Sequence, residues 1–381
     1  MGCDRGGAFY AHAWNDARDS FVCPIEPERI RRFVAILMVI SMTSTMTTPH
    51  KTLGEEKSGQ QIDLVYTWCD GADPEFQNRK AKRLKDFGLQ LAEDNSGAVR
   101  YANHDELRYS LRSVQKYLPW VRKIYIVTDK QRPSWFVEHE KIHFVDHTEI
   151  IPQELLPTFS SVTIEMYLSR IPGLAEKFIY LNDDIFINRP MNPSDFFSEG
   201  QPIVTFTKKK RQRITLSEAQ AILSASENDD FETTVIRSWY TFCTKNQKTV
   251  HYEGLVHSAD SYTKTLFDEV LKKYPEAVAS NISPFRTGKE YQRILFLYEM
   301  AYVRGCPIQR NRSSNFWGRL ISYFVALPCF SITRQSLGKI KRDLAIMKPQ
   351  TFCVNNLEDS ETEEMTQFLS DLYPQKAPWE C

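Results

Sequence analysis

The chain is 381 residues long, room for one large domain or two intimate ones at roughly 100–200 residues per domain. Lys and Arg total 48 and Asp and Glu total 48, so the formal net charge is zero, which argues against a nucleic-acid binder held by bulk charge. Hydrophobic residues at 42%, charged at 25% and aromatics at 12% exclude disorder, collagen-like sequence and low complexity, and leave enough apolar mass for a large core.

The most apolar early stretch is 33–42 (FVAILMVISM). At about ten residues it is half of what a membrane span needs. Arg31 and Arg32 precede it, as before the apolar core of a signal peptide, but the leading region is long and contains acidic groups, and no clear small-residue cleavage site follows. Met38, Met42 and Met46 offer later starts. Residues 1–58 are therefore expected to be a poorly ordered extension and a misassigned start, with an amphipathic membrane anchor as the alternative. A polar linker covers 52–61, and residues 59–381 are expected to form one catalytic domain. Cysteines fall at Cys3, Cys23, Cys69, Cys243, Cys306, Cys329, Cys353 and Cys381. None forms a CxxC knuckle, and a chain of this length needs no disulfide framework, so they read as reduced thiols of a cytosolic protein.

From Ile62 the pattern becomes globular. Residues 62–66 form an apolar run ending in Thr-Trp-Cys-Asp-Gly, a buried strand feeding a loop. Leu107, Leu111, Val114 and Leu118 recur at helical spacing, predicting a helix over 103–117 with an N-cap near Asn103. Strands are predicted at 123–128, 142–145, 177–181 and 203–207, and a helix at 163–170. Segment 207–234 opens with the basic run 208–213 and closes with Glu227, Asp229 and Asp230, which reads as a mobile insertion. Helical patterns return at 258–274, 290–302 and 361–373. Strands alternating with helices predict an α/β fold with a largely parallel sheet.

Ligands of such sheets bind outside the carboxyl ends of the strands, where Asp70, Asp129, Asp146 and Asn182-Asp183-Asp184 fall. Adjacent carboxylates after a buried strand suit Mg²⁺ or Mn²⁺ bridging a diphosphate; a solvated turn is the bland alternative. Arg108 and Arg112 share a helix face and suit a phosphate clamp, or else intrahelical ion pairs. His257 precedes a predicted helix with Lys264 two turns on, and is a base, a phosphate contact or a structural histidine. Arg286 is a loop arginine that could neutralise phosphate, and Asn355 and Asn356 are amides able to ligate metal or to close a turn. The basic run has no interleaved aromatics of the kind single-strand binders use.

Together these segments resemble the Stealth family of hexose-1-phosphate transferases, in four blocks from Ile62 to the C-terminus. The first is Ile62-Asp63-Leu64-Val65-Tyr66-Thr67-Trp68-Cys69-Asp70-Gly71. The second runs from Asn103-His104-Asp105-Glu106-Leu107-Arg108 through Arg112, Ile164-Glu165 and Arg170-Ile171-Pro172-Gly173 to Asn182-Asp183-Asp184. The third is His257 with Lys264, then Phe285-Arg286, and the fourth is Cys353-Val354-Asn355-Asn356. Departures are Asn356 where the family has aspartate, Cys69 where valine is usual, and Ser258-Ala259-Asp260-Ser261 in place of a proline-rich stretch. Without long inserted modules, the chain looks like the compact bacterial form.

The resemblance implies a fold similar to the GT-A glycosyltransferases. It implies transfer of a sugar-1-phosphate from a donor such as UDP-N-acetylglucosamine to a hydroxyl of a growing capsular or cell-surface polysaccharide, with UMP released. Asp183, Asp184 and Asn355 would hold Mg²⁺ or Mn²⁺. Asp184 and His257 are the base candidates, and Arg286 would neutralise oxygens with Arg108 and Arg112. Asp63, Trp68, Asp70 and Asn103 would border the donor. The expected setting is the cytoplasm, including peripheral association with the inner face of the membrane, and no nucleic-acid partner. Two other readings stay open: a metal-dependent glycosyltransferase releasing UDP, and an inactive saccharide-binding protein.

Overall fold

A computed structural model describes residues 61–88, 101, 103–207, 214–225, 231–255, 257–311, 329–332, 341–342, 344–345, 349–354 and 359–381. The extension 1–58, the basic run 208–213, Asn355 and Asn356 lie outside the described residues. Twelve strands are described: β1 (Ile62–Thr67), β2 (Ile124–Thr128), β3 (Ile142–Asp146), β4 (Lys177–Asn182), β5 (Ile185–Ile187), β6 (Phe197–Ser198), β7 (Gln201–Pro202), β8 (Val204–Thr207), β9 (Asp260–Thr263), β10 (Ile308–Asn311), β11 (Cys329–Ile332) and β12 (Thr351–Val354). The central sheet has the order β3-β2-β1-β4-β9, parallel except for β9. Beside it lies a small sheet, β11-β12-β5, in which β12 runs antiparallel to β5.

The central strands are covered on both faces, which is why they read as continuous apolar runs. Alternate residues still separate. Leu64, Tyr66, Ile124, Ile126, Ile179 and Leu181 pack in a core that includes Leu107, Leu111 and Val114 of the Glu106–Tyr117 helix. Val65, Tyr125, Val127, Phe178 and Tyr180 face the other core, with Val162, Trp239, Phe267 and Leu297. The α/β expectation with a mostly parallel sheet flanked by helices is met.

Three local expectations are corrected. The 258–274 segment begins as β9, antiparallel to β4, and its helix starts only at Lys264, capped by the Thr263 hydroxyl accepting from the Leu266 amide. Lys264 thus opens the helix. The 163–170 stretch is a short helix, Ser161–Glu165, followed by a single 3₁₀ turn, Leu168–Arg170. The sequence reading also missed the helix Pro74–Phe87, although Asp73 before Pro74 is a strong start signal: the Asp73 carboxylate accepts from the Glu75 amide at 2.9 Å.

Three of the expected donor-binding residues are committed elsewhere. Asp63 stands at the amino end of β1, at the edge opposite the strand termini that bind ligands. It is fully buried, paired with Arg122 at 2.5 Å, and accepts from the Lys123 and Ala175 amides. Arg108 and Arg112 do share a helix face, but the anion they clamp is a carboxylate of this chain. Glu380 Oε2 lies 2.8 Å from Arg108 Nε and 2.6 Å from Arg112 Nη2, and Arg112 also donates to the Tyr373 carbonyl at 3.0 Å. Burial pushes the Glu380 carboxyl up, but Arg112, the Ala377 amide and Arg108 outweigh it and hold it below the ordinary glutamate range.

The Glu380 side chain is 0% exposed and that of Arg112 is 7% exposed. Removing the negative charge leaves two guanidiniums uncompensated, which costs about 3–5 kcal/mol for a buried pair. Glu380→Gln is expected to lose that much in urea unfolding at neutral pH. A depressed pKa gives stability that is present above the unfolded value of 4.5 and lost as pH falls through the folded value. The gap between wild type and variant should therefore shrink below pH 4.5; a gap unchanged down to pH 3 would sink the ion-pair account.

Candidate functional site

The strand order reverses between β1 and β4: β2 and β3 build out on one side, β9 on the other. Their parallel pairing, Thr67 opposite Asn182, aligns the two carboxyl ends, which is where an open α/β sheet forms its ligand crevice. Trp68, Cys69 and Asp70 leave β1 there, and Asp183 and Asp184 leave β4. Gly71 allows the β1 loop to press against Tyr101: a Cβ at Gly71 would collide with the Tyr101 carbonyl, which accepts from the Gly71 amide at 2.8 Å.

Two antiparallel pairings carry distant sequence to this edge. Asp260 of β9 lies opposite Tyr180 of β4, so His257, three residues earlier, arrives beyond the carboxyl end of β4. Cys353 of β12 lies opposite Ile185 of β5, and the Val354 amide donates to the Asp184 carbonyl at 3.0 Å. The Cys353 thiol thereby donates to Asp184 Oδ2 at 3.3 Å. Asp184, His257 and Cys353 each place one ligand atom within 4.8 Å of the others. Glu106 approaches from the start of its helix, accepting from the His104 amide at 2.6 Å.

Charge is the dominant feature. Burial, then Asp184, then Glu106 hold the Asp183 carboxyl well above the usual carboxylate range. Burial and Glu106 raise Asp184 to about 6 against the lowering hydrogen bond from Cys353. His257 is pushed the other way, down to about 4, by burial, Arg293 and Arg286, so it is neutral at physiological pH. Burial and the charges of Asp183 and Asp70 push the Cys69 thiol up to about 12. Behind His257, Arg293 pairs with Asp260 at 2.5 Å, and the Tyr180 hydroxyl donates to Glu165 Oε1 at 3.2 Å. Glu165 Oε2 is buried without a hydrogen-bond partner among the described residues.

Of the remaining expected residues, Arg286 acts on His257 and is tethered to the Ser161 hydroxyl. Asp70 is held by the loop beyond β2 and by its own loop, its amide donating to Gln131 and its Oδ1 accepting from the Ala72 amide. Trp68 is 5% exposed, and its indole nitrogen has no hydrogen-bond partner among the described residues. Asn103 accepts from the Asp105 amide at 3.2 Å, closing the turn into the helix. Glu106, Glu165, Cys353, Asp260 and Arg293 escaped the sequence reading as site residues. Glu106, Glu165 and Cys353 stood inside quoted blocks without a role, and Arg293 gave no signal beyond its helical segment.

The donor set fits a divalent cation. Asp184 Oδ1 is buried without a hydrogen-bond partner among the described residues. The repulsion that raises both aspartates would be relieved by positive charge. Carboxylate oxygens are the ligands that hard ions such as Mg²⁺ and Mn²⁺ prefer. Among the described residues no helix is long and apolar enough to cross a membrane.

Residues 60–88 match the family model described as Stealth protein CR1, conserved region 1, and residues 100–204 match Stealth protein CR2, conserved region 2. The capsular polysaccharide phosphotransferase LcbA of Aeromonas hydrophila is 36% identical over 256 residues, 65% of this chain and 67% of that protein. LcbA of Neisseria meningitidis is 32% identical over 307 residues, 79% of each chain. The exopolysaccharide phosphotransferase SCO2592 of Streptomyces coelicolor is 32% identical over 340 residues, 84% of this chain but only 33% of that protein. Among solved structures, a galactosyltransferase LgtC complex aligns at TM-score 0.39 and 10% identity, over 82% of this chain and 95% of that one.

Crowded carboxylates work against folding. A carboxyl whose pKa rises from 3.8 to about 6 on folding contributes most below pH 3.8 and loses that contribution as pH rises through 6. In chelator, Asp184→Asn is expected to stabilise the protein above pH 6 by roughly 0.5–2 kcal/mol, with the difference vanishing near pH 4. Denaturant melts across that range decide it, and a variant less stable at pH 7 overturns this electrostatic account.

Proposed function

The chain belongs to the Stealth protein family, and on that premise we propose that it transfers a hexose-1-phosphate from a UDP-sugar to a hydroxyl of a capsular or cell-surface polysaccharide. The donor proposed is UDP-N-acetylglucosamine; the products are a phosphodiester and UMP. The observation that carries this reading is the meeting of Asp183, Asp184, His257 and, through its charge, Arg286 in the crevice between β1 and β4. The phosphotransferase names of the LcbA relatives support the same reaction class.

Attack at phosphorus asks a protein mainly for positioning and for charge to set against the diphosphate. Asp183 and Asp184, with Asn355, would hold Mg²⁺ or Mn²⁺, which when bound supplies positive charge to the diphosphate oxygens. Arg286 would add charge from the opposite side. A ring nitrogen of His257, held neutral by its surroundings, can accept the proton from the acceptor hydroxyl; Asp184 is the other candidate base. Trp68, Asp70 and Asn103 would border the nucleotide or sugar. Arg108, Arg112 and Asp63 are left out, being satisfied within the protein. The proposed setting is the cytoplasm, at the inner face of the cell membrane.

Incubation with UDP-N-acetylglucosamine, Mg²⁺ and an oligosaccharide acceptor should release UMP. Asp183→Ala should lose at least 100-fold of that activity, an effect of the size seen when a charge-stabilising group is removed. Release of UDP would mean attack at the sugar carbon and would overturn the phosphotransferase reading. His257→Gln should lower kcat with little change in donor affinity, as expected for a base.

A further inference from the structure

Cys353 is an odd neighbour for an aspartate that is to hold a hard cation. It is 0% exposed, set by the β5–β12 register, and its sulfur is aimed at Asp184 Oδ2. Thiolate and imidazole are the ligands of zinc-like ions, whereas magnesium and manganese favour oxygen. From this geometry we propose that Asp184, His257 and Cys353 form a three-ligand site for a thiophilic divalent cation of the zinc class, which excludes the hard ion from Asp184.

The distances suit that chemistry. With Zn–S near 2.3 Å and Zn–O near 2.0 Å, a tetrahedral angle separates sulfur from oxygen by about 3.5 Å. The Sγ–Oδ2 distance is 3.3 Å, and the outer limit for all three ligand atoms is 4.8 Å. Asp184 Oδ2 thus needs almost no movement relative to Cys353. Three protein ligands leave a fourth position open to water or to a phosphate oxygen. Binding replaces the thiol proton with the ion, so one proton leaves to solvent for each ion taken up. The Asp184 side of the site favours a dication: Asp183 and Glu106 stand beside Asp184, while Arg286 and Arg293 act on His257 and Arg293 is paired with Asp260. The consequence for turnover rests on the proposed function, because it is Asp184 and His257 that the soft ion occupies.

Cobalt(II) is the probe, titrated into the metal-free full chain, wild type and Cys353→Ser in parallel. Wild type should show intense tetrahedral ligand-field bands and a thiolate-to-cobalt charge-transfer band, both displaced by Zn²⁺. Cys353→Ser should lose the charge-transfer band and one equivalent of tight binding; cysteines elsewhere cancel in the difference. His257→Gln provides a second test that leaves the thiol in place, and should weaken cobalt binding at least tenfold. Identical titrations for wild type and both variants would overturn the site. In the activity assay, Zn²⁺ should inhibit wild type and do so at least tenfold less tightly in Cys353→Ser. A cobalt charge-transfer band in a protein that forms no UMP would uphold the metal site and remove the reaction proposal, so the two fail separately.

Discussion

Asp183 and Asp184 lose water together and face Glu106 as they do so. Like charges taken out of water are among the least favourable arrangements a fold can hold. The protein sustains them by building the rest rigidly around them. β4 is buried on both faces and paired on both edges, to β1 and β9. β12 clasps β5 immediately downstream, and its Val354 amide fixes the Asp184 carbonyl. Guanidiniums on this side of the sheet are engaged within the protein: Arg293 with Asp260, and Arg108 and Arg112 with Glu380. The charge deficit at the edge of β4 is thus left for a ligand to satisfy.

The same bookkeeping explains why His257 is neutral while its neighbours struggle to ionise. Arg293 and Arg286 dominate the charge felt by His257, whereas Asp184 and Glu106 dominate that felt by Asp183. A field with two poles a few ångströms apart separates a group that accepts a proton from groups that attract cations. Nucleotide-sugar chemistry at phosphorus uses both at once, which is what links the geometry to the proposed reaction.

Much of the scaffold was legible because its signals are local. The runs Ile62–Thr67, Ile124–Thr128 and Lys177–Asn182 are apolar and end in polar loops, and the Asp183-Asp184 pair follows directly. What could not be read were partnerships across long stretches of chain. Arg108 and Arg112 looked like a phosphate clamp because their spacing was right; the carboxylate that fills it comes from Glu380. Asp63 sits in a block with Trp68 and Asp70, yet a strand of six residues puts its two ends at opposite edges of the sheet. His257 was placed before a helix because the whole stretch 258–274 read as helical; the strand Asp260–Thr263 that intervenes is defined by its pairing to β4, which no pattern within it reveals.

Glu380 is separated from Arg112 by 268 residues, and Cys353 from Asp184 by 169. At synthesis rates of 5–20 residues per second, Arg112 leaves the ribosome roughly 15–50 s before the carboxylate that will hold it. For that interval the helix beginning at Glu106 carries two bare cations, and β5 has an open edge. The sheet's parallel strands can form early, but the crevice waits for Cys353, made 169 residues after Asp184. Chaperone demand, and the lesion left by a premature stop codon, should therefore fall on the active edge of this protein while its central sheet stands already made.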